Sequence, residues 1–131
     1  MNRPEEALQR ALVSFLRLAL PKGWIVHHSP NGGYRTPVEA SRFRAMGVVA
    51  GFPDLMLIGQ RMVIFMELKA PPKRLKSGAL SREVAPLSAA QRDVLDALGQ
   101  AGFPTVVVRS IDDAVFALEQ LGVPLSGKAR Q

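Results

Sequence analysis

Two short segments contain the residues best suited to chemistry, Gly51-Phe52-Pro53-Asp54 and Glu67-Leu68-Lys69. Two carboxylates can hold a hard divalent cation, and a lysine beside them can stabilise negative charge that develops on a phosphodiester. The residue types therefore indicate metal-dependent hydrolysis of a phosphate ester, on the condition that the fold brings the three charged side chains together.

The chain between these segments has the pattern of a β-hairpin. Two apolar, β-rich runs flank a polar break at Gly59-Gln60-Arg61. A two-residue turn centred in this break would place Asp54 directly opposite Glu67 on a neighbouring strand. Lys69 would then share their face, because side chains alternate along a strand. A loop of three or five residues would instead turn Glu67 to the other face.

Two carboxylates that face each other in an apolar hairpin repel unless a cation or a proton compensates them. Mg²⁺ is commonly held by one or two carboxylates together with waters and phosphate oxygens, which fits this pair. The alternative is structural: Asp54 caps a turn and Glu67 forms an ion pair with Lys69. The apolar run Val63-Ile64-Phe65-Met66 argues against that alternative, because a solvated charge is unexpected beside it.

The chain resembles the PD-(D/E)xK nuclease superfamily, and specifically its VRR-NUC branch, the virus-type replication-repair nuclease domain. The resemblance extends from Glu5 to about Val108. It rests on five stretches: Asn31-Gly32-Gly33, Gly47-Val48-Val49-Ala50-Gly51-Phe52, Pro53-Asp54, Glu67-Leu68-Lys69 and Leu87-Ser88-Ala89-Ala90-Gln91. It implies an α/β fold with a restriction-endonuclease-like core, in which helices flank a mixed central sheet. The hydropathy pattern predicts the order αβαββαβα, with one domain over residues 1–123 and a frayed tail over 124–131.

The resemblance also implies an activity, that of a DNA endonuclease dependent on Mg²⁺ or Mn²⁺. Stand-alone members of this size resemble phage or prophage homodimers that cut branched DNA, including four-way Holliday junctions. Asp54, Glu67 and the backbone carbonyl of Leu68 would hold the metal, and Lys69 would orient the attacking water or stabilise the charge that develops on the phosphate. Two alternatives stay open: a catalytically silent DNA-binding module of the same fold, and a flap or duplex nuclease.

Two further residues have both a functional and a structural interpretation. Glu5 lies on the apolar stripe of the first predicted helix and could complete the carboxylate set, as related nucleases imply, but it also suits a capping box with Asn2. Gln91 could support the site near Lys69, as superfamily members imply, or close a capping box with Ser88.

The charge balance favours a polyanionic partner, since 17 basic residues oppose 11 acidic ones for a net charge of +6. One basic set follows the site strand in a loop rich in proline and glycine, which we expect to be mobile and to close over a phosphate backbone. A second set surrounds a short helix that begins after Thr36. Both sets could instead be solvated surface. The candidate DNA-contacting residues are Asn31, Arg35, Arg42, Arg44, Lys73, Arg74, Lys76 and Arg82.

The chain has no cysteine, which excludes disulfides and thiolate metal sites. Its apolar runs are too short to span a bilayer and its start is acidic, so we expect a cytoplasmic protein of a bacterium or a phage-infected cell, with no membrane partner and no small-molecule cofactor. His27 and His28 are adjacent on a predicted strand and would point to opposite faces, which suits structural or DNA-contacting roles better than joint metal chelation.

Overall fold

The computed structural model describes residues 3–30 and 36–127. Their elements follow the predicted order αβαββαβα, which is confirmed. The helices are α1 (Arg3–Ala19), α2 (Pro37–Ala45), α3 (Ala89–Gln100) and α4 (Ile111–Gln120). The strands are β1 (Ile25–His28), β2 (Leu55–Gly59), β3 (Met62–Leu68) and β4 (Thr105–Val108).

The four strands form one mixed sheet in the order β1-β2-β3-β4. β2 is antiparallel to both β1 and β3, whereas β3 is parallel to β4, which it reaches through α3. The β2–β3 hairpin has the register that the sequence predicts, with Leu55 opposite Met66 and Gly59 opposite Met62. Its turn consists of Gln60 and Arg61, both with positive φ, as the tight two-residue turns of hairpins require.

The two faces of the sheet have different coverings. On one face, Leu55 and Leu57 of β2 and Ile64, Met66 and Leu68 of β3 are fully buried. They join a core with α1 and α4, which contact each other across this face. The opposite face carries Phe65, Glu67 and Lys69, and α3 covers part of it.

The residues at its ends, and not contacts with the core, set the limits of helix α2. Thr36 accepts a hydrogen bond from the backbone of Glu39, whose carboxylate in turn accepts one from the Thr36 backbone, and Pro37 occupies the first turn. The helix begins directly after Thr36, as the sequence predicts. Yet α2 buries none of its residues, and a helix of nine residues is marginal on its own in water.

The end of the described chain packs against the rest of the fold, and the frayed tail over 124–131 stays a prediction for the residues beyond it. Val123 is buried and Leu125 packs against the core. The backbone N–H of Ser126 donates to the carbonyl oxygen of Ala19 at 2.8 Å. Ser126 therefore docks on the end of α1, because that helix end presents carbonyls in need of donors. Residues 128–131 lie outside the described part.

No helix in residues 3–30 and 36–127 is long and apolar enough to cross a membrane.

Gly59 is required by close packing. A Cβ atom there would lie 2.3–2.5 Å from three ring atoms of Trp24. We expect Gly59→Ala to lower the free energy of unfolding by about 2 kcal/mol, because a bulky ring cannot yield without moving its neighbours. Gly99→Ala is the matched control. Nothing lies within 4 Å of a Cβ at Gly99, so this change in α3 should raise stability by up to about 1 kcal/mol. Denaturant unfolding of both variants checks the prediction, and equal effects would contradict it.

Candidate active site

Asp54 and Glu67 face each other at the end of the β2–β3 hairpin. The register continues from Leu55 opposite Met66 to place them in the next pair. The N–H groups of Phe65 and Lys69 donate towards β4, to Pro104 and Val108, so the backbone of the intervening Glu67 also points away from β2. Directly opposed residues of this non-hydrogen-bonded kind have the closest side chains in an antiparallel pair. The predicted convergence of the two carboxylates is therefore present.

Asp54 is held in place by three contacts. Its Oδ2 accepts a hydrogen bond of 2.8 Å from the backbone N–H of Leu68. Its own carbonyl oxygen accepts from the N–H of Ser29 at 3.1 Å and lies 2.9 Å from Nδ1 of His28. Asp54 thus links β1, β2 and β3 and is not the cap of a local turn. His28 has a structural role, which is one of the two roles that the sequence indicates.

Lys69 lies on the same face as Glu67, two residues further along the chain. It is 9% exposed, and its charge acts on the carboxyl group of Glu67. The carbonyl of Leu68 points toward Asp54, because the N–H and C=O of one strand residue point to the same side and the Leu68 N–H donates to Asp54. This orientation is compatible with the predicted role of that carbonyl as a metal ligand.

The environment of Glu67 disfavours its negative charge. The side chain is 2% exposed. Burial, then the charge of Asp54 and a hydrogen bond with the Asp54 side chain, raise the pKa of Glu67 from its ordinary 4.5 to about 8, against the lowering effect of the nearby Lys69. A raised carboxyl pKa of this origin means that the pair shares a proton or requires a cation. The arrangement therefore fits a divalent metal by its charge and by its oxygen donors.

Gln91 serves the helix cap and the site at once. Its Oε1 accepts from the N–H of Ser88 at 2.9 Å, and its N–H donates to the Ser88 hydroxyl at 3.1 Å. Its Nε2 donates to Oε2 of Glu67 at 2.8 Å. Both interpretations of this residue from the sequence therefore describe real contacts. The capping box fixes the amide so that its NH₂ group faces the carboxylate.

Gln91→Glu separates these two roles. Glutamate can still accept from Ser88, but it replaces the donor toward Glu67 with a second carboxylate. We expect a loss of about 1–3 kcal/mol in stability near pH 8, because Glu67 loses its partner and gains a like charge. The loss should shrink near pH 5, where the carboxyl groups can take up protons. Ser88→Ala is the control, since it should cost about 1 kcal/mol at both pH values. Thermal unfolding at the two pH values measures this, and a pH-independent loss in Gln91→Glu would contradict it.

The segment before Asp54 is fitted against α3. Gly51 has φ +81°, and a Cβ atom there would lie 2.5–2.7 Å from backbone atoms of Ala90 and Gln91. Phe52 meets the ring of Phe65 edge-on, with centroids 5.6 Å apart. Gly51 and Phe52 therefore set the distance between the Asp54 segment and the start of α3. Both residues belong to the motif on which the family resemblance rests, but the sequence indicates no individual role for either.

Comparison with known proteins identifies the fold. No family model matches the sequence, and no curated protein matches it. A solved structure of a "VRR_NUC domain protein" superposes with a TM-score of 0.66 at 23% sequence identity, covering 92% of this chain and 88% of that one. The chain has the VRR-NUC fold. At this level of identity the likeness concerns the architecture, which is the restriction-endonuclease-like α/β arrangement that the resemblance implies.

In this VRR-NUC fold, Arg109 joins the site to the basic loop and was not predicted as a functional residue. It directly follows β4. Its Nη1 donates to the carbonyl of Ala70 at 3.3 Å and its Nη2 to that of Ala85 at 2.6 Å. Arg109 therefore holds both ends of the segment 70–85, which begins one residue after Lys69. The signal available in the sequence was an arginine directly after the short β-branched run that forms β4.

The basic loop contains a small hairpin. Arg74 pairs with Leu80, the N–H of Ser81 donates to the Lys73 carbonyl at 2.7 Å, and the Arg74 guanidinium donates to the carbonyl of Gly78. The loop is thus shaped by its own hydrogen bonds, and its closure over a phosphate backbone stays a prediction. Four candidate DNA-contacting side chains on it are exposed: Lys73, Arg74, Lys76 and Arg82.

The remaining predicted DNA contacts lie in two places. Arg42 and Arg44 are exposed in the last turn of α2. Asn31 and Arg35, with the residues between them, lie outside the described residues.

Glu5 stays a predicted metal ligand. The first turn of α1 lies at the Lys69 end of the sheet, since Pro4 and Leu8 line a cavity with Pro71 and Arg109. In the described part of the chain, however, no three His, Cys, Asp or Glu side chains are grouped to hold a metal. Its proposed capping partner, Asn2, lies outside the described residues.

Proposed function

We propose that this protein is a metal-dependent DNA endonuclease that cuts branched DNA as a homodimer, with the four-way Holliday junction as its preferred substrate. The observation that carries the proposal is the opposed pair of the partly buried Asp54 and the buried Glu67, with Lys69 beside it, on a VRR-NUC fold. Purely structural carboxylates would gain little from this position, because burial and mutual repulsion both disfavour their charge.

The chemistry follows from the positions of these side chains. Asp54, Glu67 and the Leu68 carbonyl would hold Mg²⁺ or Mn²⁺, with Glu5 as a further ligand. When bound, such an ion polarises a phosphate oxygen and lowers the pKa of a coordinated water. Lys69 offers a positive charge to the phosphate as charge develops on it. Gln91 keeps Glu67 Oε2 oriented through its 2.8 Å hydrogen bond.

DNA as the substrate is supported by the distribution of charge. The excess of basic residues is +6, and exposed cations occur on the hairpin that begins near Lys73 and in the last turn of α2. Phosphate contacts of this kind give affinity and orientation without reading sequence. They suit an enzyme that selects a DNA structure.

The homodimer is supported by the uncovered surface of α2. Val38 is 71% exposed and Met46, directly after the helix, is 75% exposed. A second subunit packed on this surface would bury both side chains and stabilise a helix that the monomer does not bury. It would also cover Arg42, which lies between them on the same helix face, and would leave Arg44 of α2 for DNA. Two active sites related by a twofold axis would allow paired cuts in a symmetric junction.

Cleavage of matched labelled DNAs tests the proposal. A four-way junction, a flap, a duplex and a single strand would each be incubated with Mg²⁺, Mn²⁺ or EDTA. The site variant is Asp54→Asn, and Asp96→Asn is its matched control, because Asp96 is an exposed acid on α3. We expect paired, symmetric cuts in the junction that EDTA and Asp54→Asn abolish and Asp96→Asn leaves intact.

Each of the other outcomes would indicate a different function or assembly for this protein. Binding of the junction without cutting under any metal would indicate a silent DNA-binding module and would contradict the enzyme. Metal-dependent cutting of the flap or duplex in preference to the junction would retain the nuclease and reject the resolvase. Sedimentation of the protein as a monomer with bound junction would reject the homodimer.

A further inference from the structure

A cleft of about 330 Å³ lies beside the paired carboxylates, between the end of β1 and the segment that precedes Asp54. It takes no part in the chemistry proposed above. Its walls are formed by His27, Ser29, Pro30, Val48, Val49 and Phe52.

The cleft opens on the face of the sheet that carries the site. His27 pairs with Met56, and Met56 pairs with Phe65. Phe65 and Glu67 are two residues apart on β3 and so share a face, which places His27 on the same face as Glu67. Ser29 donates its N–H to the Asp54 carbonyl at 3.1 Å. The wall of the cleft is therefore one strand away from the first carboxylate, a separation of roughly 5 Å.

The lining of the cleft suits a flat heteroaromatic ring. Val48, Val49 and Phe52 supply apolar and aromatic surface, while His27 and Ser29 supply polar groups at one side. A mainly apolar cleft with a few polar groups is the usual form of a small-ligand site, and this volume lies at the low end of the usual range. It has room for one ring system and none for a helix or a duplex.

We propose that this cleft receives the base of a nucleotide next to the cut phosphodiester. The inference rests on the proposed nuclease function, because that function places a phosphodiester beside Asp54 and hence a base within reach of Ser29 and His27. A base can enter only after it leaves its stack, which is costly in a duplex and less so where pairing is already broken. Stacking in the cleft offsets part of this cost. The cleft thus gives a physical reason for preferring a branch point over a continuous duplex.

The test fills the cleft without disturbing the core. Val49 is 51% exposed, so Val49→Trp should block the cleft, and Val49→Ala is the matched control that leaves it open. Each nucleotide flanking the cut would be replaced in turn by an abasic residue. We expect one abasic position to lower kcat/KM of the unaltered protein by roughly tenfold. On intact DNA, Val49→Trp should have a kcat/KM lowered to a similar extent, and the abasic residue should lower it no further. Val49→Ala should lose as much kcat/KM at that abasic position as the unaltered protein does.

A second readout does not depend on cutting. With 2-aminopurine at each flanking position and EDTA present, binding should raise the fluorescence at one position as that base leaves its stack. His27→Ala and Val49→Trp should reduce this change. An abasic effect of the same size in Val49→Trp and the unaltered protein would overturn the cleft while the nuclease stands. Binding without any change in fluorescence would overturn it as well. A response at one position that Val49→Trp removes would support the cleft even if no DNA were cut.

Discussion

Replacing Lys69 by alanine is expected to lower the rate of DNA cutting by about 100-fold or more while DNA affinity changes by no more than about threefold. The side chain is 9% exposed and lies on the face of the two carboxylates, so it can meet only a phosphate that enters the site. General attraction to DNA comes instead from exposed cations, of which the protein has many. The loss should therefore appear in kcat and not in binding.

Two further variants make the Lys69 result decisive. Lys69→Met keeps the apolar stem of the side chain, and should lose cutting as fully as Lys69→Ala if the charge is what matters. Lys73→Ala removes an exposed cation and should weaken DNA binding while kcat stays unchanged. The slope of the logarithm of the binding constant against the logarithm of the salt concentration should fall in magnitude by about one. Single-turnover cutting and binding isotherms at several salt concentrations measure both. Equal loss of binding and cutting in Lys69→Ala would contradict its assignment.

Saturating metal and a pH above 8 are needed for that comparison. The charge of Lys69 lowers the pKa of Glu67, and its removal would leave the carboxyl group protonated to higher pH. A variant assayed near neutral pH could then lose metal affinity in addition to its role at the phosphate. At a pH above 8 with saturating metal, the remaining loss of cutting reports the role of Lys69 at the phosphate.

The features that the sequence predicts well are those set by neighbouring residues. The pairing of Asp54 with Glu67 depends on one two-residue turn, and the capping boxes at Thr36 and Ser88 each span four residues. Alternation in a strand and the needs of a helix end determine such features locally. The order of the elements follows from the same local patterns.

The features that escaped prediction join distant parts of the chain. Arg109 contacts carbonyls 24 and 39 residues away, and the docking of Ser126 on α1 spans 107 residues. Whether a polar side chain reaches such a partner depends on how the layers pack, which no local pattern encodes. Gln91 combines both cases, since its capping bond spans three residues and its bond to Glu67 spans 24. The residues around Gln91 in the sequence predict its capping box, but they only suggest its contact with Glu67.

Glu67→Gln is expected to remove a marked pH dependence of folding stability. The folded protein holds the Glu67 proton up to about pH 8, whereas the unfolded chain loses it near 4.5. Between these values the folded state binds more protons, so the free energy of unfolding falls as pH rises, by up to about 1.4 kcal/mol per pH unit. This contribution is fully present below pH 4.5 and is lost as pH rises through about 8. Glutamine has no proton to lose, so the variant should have a flatter profile.

Divalent metal should reverse the effect of pH in the unaltered protein only. An ion held by the ionised pair replaces the shared proton, so Mg²⁺ or Mn²⁺ at 100 times its dissociation constant should restore about 2.7 kcal/mol near pH 8. It should stabilise far less near pH 5, where protons compete for the same oxygens. Unfolding of both proteins at several pH values, with metal and with EDTA, measures this. Parallel profiles for Glu67→Gln and the unaltered protein would mean that Glu67 ionises freely in the fold. The opposed pair would then have no need of a cation, and the proposed metal site would lose its physical basis.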